Sequence, residues 1–123
     1  MFDEMLRELI DAVPGARGAV FCAPDGEAVS CVGASGRSDG GERNDFDLRV
    51  AGAQLALPLD LAQPEGASIG PVREFVIIAA REKMLVHMLP ERYYIVLCLH
   101  PEALVGRGLL FLRSIAERVA VEI

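Results

Sequence analysis

Apolar side chains recur at helical spacing at the start of the chain. Phe2, Met5, Leu6, Leu9, Ile10 and Val13 share one face, and Asp3, Glu4, Arg7, Glu8 and Asp11 lie opposite. Pro14-Gly15 ends the run. An apolar stretch over 18–24 then leads to Asp25-Gly26, and a second returns over 27–33, which predicts a hairpin closed by a two-residue primed turn. In that register Cys22 faces Val29 and Val20 faces Cys31. Val20, Cys22, Val29 and Cys31 line one face, and Ala19, Phe21, Ala23, Ala28 and Val32 the other. A strand pair that is apolar on both faces calls for cover on both sides.

Residues 34–44, ASGRSDGGERN, read as a polar glycine-rich connection. A second helix follows over 46–62, capped by Asn44 or Asp45, with Asp47 in its first turn. Leu48, Ala51, Leu55, Leu59 and Ala62 form one stripe, and Val50, Ala53, Leu57 and Leu61 form another beside it. That arc is wider than contact with a single sheet requires, so part of it is expected to face a partner chain. Pro58 should kink or shorten the last turns. After a Pro/Gly loop over 63–71 come three strands, over 73–80, 84–89 and 93–99. Their connections, Arg81-Glu82-Lys83 and Pro90-Glu91-Arg92, are short enough only for antiparallel hairpins. His100-Pro101-Glu102 is expected to open a third helix, with Val105, Leu109, Leu112, Ala116, Val119 and Ile123 inward and Arg113 paired to Glu117. The order is α-β-β-α-β-β-β-α, an α+β class with one antiparallel sheet, and no linker divides residues 1–123 into two domains.

Lys and Arg number 12 against 18 Asp and Glu, a net charge of −6, which disfavours nucleic acid and anionic lipid as partners. The longest aliphatic and aromatic run, 75–80, is far short of a membrane span, and the opening MFDEMLRELID lacks a leader pattern. Cys22, Cys31 and Cys98 form no CxxC pair, so a reducing, cytoplasmic setting is expected.

No catalytic constellation emerges from the remaining residues. His87 and His100 have no neighbours at zinc-ligand spacing, so neither a metal nor another cofactor is expected. His100 reads as a cap or turn residue, and His87 as a strand residue. The cysteines fall in strands and read as small hydrophobes, although a cysteine-dependent enzyme is a weaker alternative. Glu4 and Glu8 stand one turn apart on a solvated face. The loop 34–44 lacks the nucleotide-binding glycine patterns. Arg37, Arg43 and Arg49 could in principle serve as a finger toward a GTPase, but read more simply as surface charge.

Three stretches in this order carry a resemblance: VPGARGAVFCAPDGEAVS after the first helix, DLRVAGAQLALPLDLA in the second, and the ending YYIVLCLHPEALVGRGLLFLRSIAERV. Through them the whole chain resembles the roadblock family of dynein light chains, in its bacterial small-GTPase-associated form. The resemblance implies a five-stranded antiparallel sheet sandwiched by helices, a roadblock/profilin-like fold. It also implies a non-catalytic dimeric regulator or scaffold for a Ras-like small GTPase in bacterial signalling, possessing no cofactor. The family's dimer surface, the second helix and third strand, maps here onto Leu48, Ala51, Leu55, Leu59, Arg73 and Phe75, with a homodimer expected. Pro58 and the glycine-free turn after the third strand depart from the family pattern. The alternatives are a small-molecule sensor of profilin-like fold, whose pocket Ala19, Ala23, Ala28, Ala79 and Ala80 could leave, and a structural light chain.

Overall fold

The computed structural model describes residues 1–34, 44–64, 66 and 68–123. Helix α1 spans Phe2–Ala12, followed by strands β1, Ala16–Cys22, and β2, Ala28–Gly33. Helix α2 spans Asp45–Leu61. Strands β3, Glu74–Ile78, β4, Lys83–Met88, and β5, Tyr94–Leu99, precede helix α3, Val105–Val121. The strands form one antiparallel sheet in the order β2-β1-β5-β4-β3, so β2 and β3 are its edges.

The two faces of the sheet explain the doubly apolar hairpin. Ala19, Phe21, Leu85, Ile95, Leu97 and Leu99 point to one face, where Leu6, Leu9 and Ile10 of α1 and Leu112, Ile115 and Val119 of α3 cover them. Val20, Cys22, Val86, Val96 and Cys98 point to the other and meet Leu48, Leu55 and Leu59 of α2. All six residues of β5 are buried, as befits the central strand. Removing each of these large side chains from water contributes about 1.5–3 kcal/mol.

Helix α2 sits close to β1 because Gly52 stands at the contact. A Cβ there would lie 2.6 Å from Cys22 Sγ and 3.1 Å from a Val20 methyl. The Tyr94 hydroxyl donates to the Gly52 carbonyl at 2.7 Å, deep between helix and sheet. Small residues on this face therefore serve close packing of backbone on backbone. Of the alanines considered as pocket formers, Ala19 is fully buried in the core, while Ala79 and Ala80 lie exposed after β3.

Several local expectations shift. The first hairpin closes with Gly26 N–H donating to Ala23 and Ala23 N–H donating to Glu27. The loop is thus Pro24-Asp25-Gly26, with proline pre-set for its first position and Gly26 at φ +90°. The three-residue loop pairs Cys22 with Ala28, and a bulge at Val29 restores the expected pairing of Val20 with Cys31. Asn44 is the cap of α2, accepting from Asp47 N–H at 2.8 Å. The helix continues through Pro58 to Leu61, because proline so near the end removes only one late bond. The turn after β3 is Ala80-Arg81, since Ala79 N–H donates to Glu82. Residues 100–104 form a turn before α3, with Ala103 N–H donating to His100, so Pro101 lies ahead of the helix and not at its first position. Arg113 reaches across to Glu74 and not to Glu117.

Candidate functional site

Edge strand β3 is where the sheet is left unfinished. The Arg73 carbonyl accepts from Met88 N–H, and Ala79 N–H donates to Glu82, so the odd-numbered residues of this segment bond inward to β4. The backbone groups of Glu74, Val76 and Ile78 therefore point away from the sheet. The strand pairs without a bulge, contains no proline and carries three consecutive branched residues, Val76, Ile77 and Ile78. Of the devices by which natural edges prevent pairing, this strand has its short length and one charged residue, Glu74, which Arg113 engages. The opposite edge, β2, has both α1 and α2 packed against it.

The α2 face of the sheet is also incompletely covered near β3. Helix α2 contacts β1 and β2, and Phe75, Ile77, Met84 and Met88 are only partly buried. Beside them stands the outer side of α2. Phe46, Leu57 and Leu61 are 73%, 65% and 75% exposed, and Val50 is also exposed. The remaining side of the same helix is turned elsewhere: Ala53 and Ala56 approach Gly26 of the first hairpin, and Asp60 pairs with Arg92. An exposed strand edge and an exposed apolar helix face are thus both left uncovered.

The residues assigned to a dimer surface divide across this arrangement. Leu48, Ala51, Leu55 and Leu59 are buried within the single chain, the three leucines against its own sheet. Arg73 and Phe75 lie on the β3 side, Arg73 exposed and Phe75 half-buried. The more regular stripe of this helix, assigned to the dimer surface from sequence, faces the core. The second stripe, Val50, Leu57 and Leu61, faces outward. The signal that separates them is Gly52, which marks the side of α2 lying closest to the sheet.

On the α1/α3 face, β3 carries a polar cluster. Arg113 donates from Nε and Nη2 to the two Glu74 carboxylate oxygens, each at 2.7 Å, and His87 Nδ1 lies 3.2 Å from Glu74 Oε2. The Arg113 hydrogen bonds hold the Glu74 carboxyl below its ordinary pKa. Arg73 and Glu117 complete a surface depression of about 380 Å³. A bidentate ion pair beside a histidine can orient a charged group, and it locks α3 to the edge strand.

The candidate nucleophiles are placed for packing. Burial raises the Cys22 thiol to about 11 and also raises the Tyr94 hydroxyl beside it. Cys31 is half-buried on β2, its pKa raised chiefly by desolvation and next by Asp45. Among the described residues no group of three or more His, Cys, Asp or Glu could hold a metal, and no helix is long and apolar enough to cross a membrane. Glu4 is exposed, and Glu8 pairs with Arg118. His100 is a turn residue whose Nδ1 accepts from Glu102 N–H. Arg49 is exposed on α2, while Arg37, Arg43 and nearly all of the glycine-rich connection lie outside the described residues.

No family model and no curated protein matches the chain. Solved structures do. The Roadblock/LC7 domain from Streptomyces avermitilis superposes with a TM-score of 0.80 at 18% identity, covering 98% of this chain and 95% of that one. The gliding protein MglB from Thermus thermophilus gives 0.81 at 20% identity, over 98% and 86%. Profilin IA of Acanthamoeba castellanii gives 0.58 at 11% identity, over 99% and 98%.

Proposed function

We propose that this chain, which has the roadblock/LC7 fold, is a non-catalytic dimeric module that regulates or scaffolds a Ras-like small GTPase in the cytoplasm. The observation that carries the dimer is the unfinished β3 edge flanked by the apolar outer side of α2. Two copies meeting edge to edge would extend the sheet, and each α2 would cover the other's exposed leucines.

The GTPase as partner rests on the resemblance of the sequence to bacterial roadblock proteins, and the likeness to gliding protein MglB supports the fold that this reading needs. Affinity capture from the native lysate, with a non-hydrolysable GTP analogue or with GDP, tests it. Nucleotide-dependent recovery of a Ras-like GTPase supports the reading, and recovery of none in either state contradicts it. Hydrolysis rates of the recovered GTPase with and without the module then show whether it regulates or only scaffolds.

A further inference from the structure

The face of β3 opposite α2 is also apolar and open. Val76 is 45% exposed and Ile78 is 69% exposed, and both point to the α1/α3 side in line with Leu85 and Lys83. Helix α3 packs over β4 and β5 and reaches β3 through the Arg113–Glu74 pair, while Val76 and Ile78 stay exposed. Arg113 bonds to Glu74, so the flank of α3 that faces β3 is the one carrying Gly106, Leu109 and Arg113, at helical spacings of three and four. Leu109 is half-buried there, and a Cβ at Gly106 would meet nothing within 4 Å. One chain therefore presents half of a trough, with a strand for floor and a helix flank for wall.

We infer that the dimer completes this trough and that it receives one amphipathic helix of a partner protein, apolar on one face and acidic on its flanks. The inference rests on the edge-to-edge dimer proposed above. Strands in a sheet lie ~4.8 Å apart. A helix centred between β4 and β5 stands about two strand spacings from the dyad, so the two α3 axes would be separated by about 19 Å. Packed helices lie ~8–10 Å apart, so the gap admits one helix touching both walls. Its floor would be Val76 and Ile78 from both copies. The ends carry Arg73, Arg81 and Lys83, and the wall carries Arg113; the acids there are Glu74, which Arg113 holds, Glu82, which Arg17 holds, and Glu117. In a chain of net charge −6 this is a local excess of cations. It favours acidic flanks on the occupant and disfavours a basic helix.

The test uses the full chain and a designed, fluorescein-labelled peptide of about 18 residues, about 27 Å long as a helix. The peptide has leucine and alanine on one face and glutamate on its flanks, and a counterpart replaces every glutamate with lysine. Calorimetry should give one glutamate peptide per two chains, with the lysine peptide at least about tenfold weaker. Ile78→Glu should weaken binding by about tenfold or more while leaving the two-chain mass intact, because it puts a charge on the apolar floor. Peptide-induced shifts of the Val76 and Ile78 methyl signals should accompany binding. A two-chain species that ignores both peptides, or binds equally well with Ile78→Glu, overturns the trough and leaves the dimer standing. A one-chain mass at all concentrations overturns both. A four-chain mass that Ile78→Glu returns to two would show a second copy of the dimer in the trough and overturn the helix assignment.

Discussion

Gly52 and Gly106 are both helical glycines, and their replacement by alanine should change stability in opposite directions. Alanine in a helix is favoured over glycine by about 1 kcal/mol, less near an end. At Gly106 a new methyl meets nothing within 4 Å, so Gly106→Ala should gain about 0.5–1 kcal/mol. At Gly52 the same methyl falls 2.6 Å from Cys22 Sγ and 3.1 Å from Val20. Cys22 and Val20 are fully buried with short side chains, so relief requires α2 to lift off β1. Overpacking of this kind costs about 1–3 kcal/mol, and lifting also stretches the 2.7 Å bond from the Tyr94 hydroxyl to the Gly52 carbonyl. The net for Gly52→Ala is a loss of about 1–2 kcal/mol after the helix gain. Urea unfolding measures both variants. Adding Cys22→Ala to Gly52→Ala removes the clashing sulfur, so the double variant should be more stable than the sum of the singles. Equal stabilisation by Gly52→Ala and Gly106→Ala, with no coupling to Cys22, would refute the close α2–β1 contact.

Three further outcomes follow from the same structure. Glu91 and Arg92 hold φ of 58° and 66° in the turn between β4 and β5, so Glu91→Asn with Arg92→Gly should raise stability by about 1 kcal/mol in denaturant unfolding, after loss of the exposed Arg92–Asp60 pair. Native thiol labelling with iodoacetamide near pH 8 should modify half-buried Cys31 before Cys22, whose thiol burial pushes to about 11; equal rates would contradict the burial of Cys22. Arg113 holds Glu74 below its ordinary pKa, so the pair's stabilisation is present above the unfolded-state value of Glu and is lost as pH falls through the lowered folded value. Acid titration of unfolding midpoints should show this loss in the parent chain and a shallower one in Glu74→Gln.

The element order is legible because each helix and strand carries its own period. The apolar stripes of α1 and α3 and the two-faced β1 hairpin need no tertiary information to be read. The architecture is legible for the same reason, since β1 is apolar on both sides and needs helices on both. What stays hidden depends on contacts between distant residues. Helix α2 is apolar nearly all round, so its sequence does not say which leucines face the sheet; the position of Gly52 against Cys22 decides it. Leu55 therefore belongs to the core, and Leu55→Asp would unfold the chain instead of dissociating a dimer. The Arg113–Glu74 pair joins residues 39 apart, and local spacing suggests Glu117 instead. Pro24 escapes notice as a turn former because Asp-Gly alone matches a two-residue loop.

In the proposed dimer the edge of β3 joins two chains. Val76 N–H points outward from β3, so Val76→Pro removes a donor from the edge without breaking a bond to β4. Sedimentation equilibrium of the parent and of this variant, with circular dichroism confirming that both are folded, tests the claim directly. The expected mass is that of two chains for the parent and of one chain for folded Val76→Pro. A single-chain mass for the parent, or an unchanged two-chain mass for the variant, would contradict it.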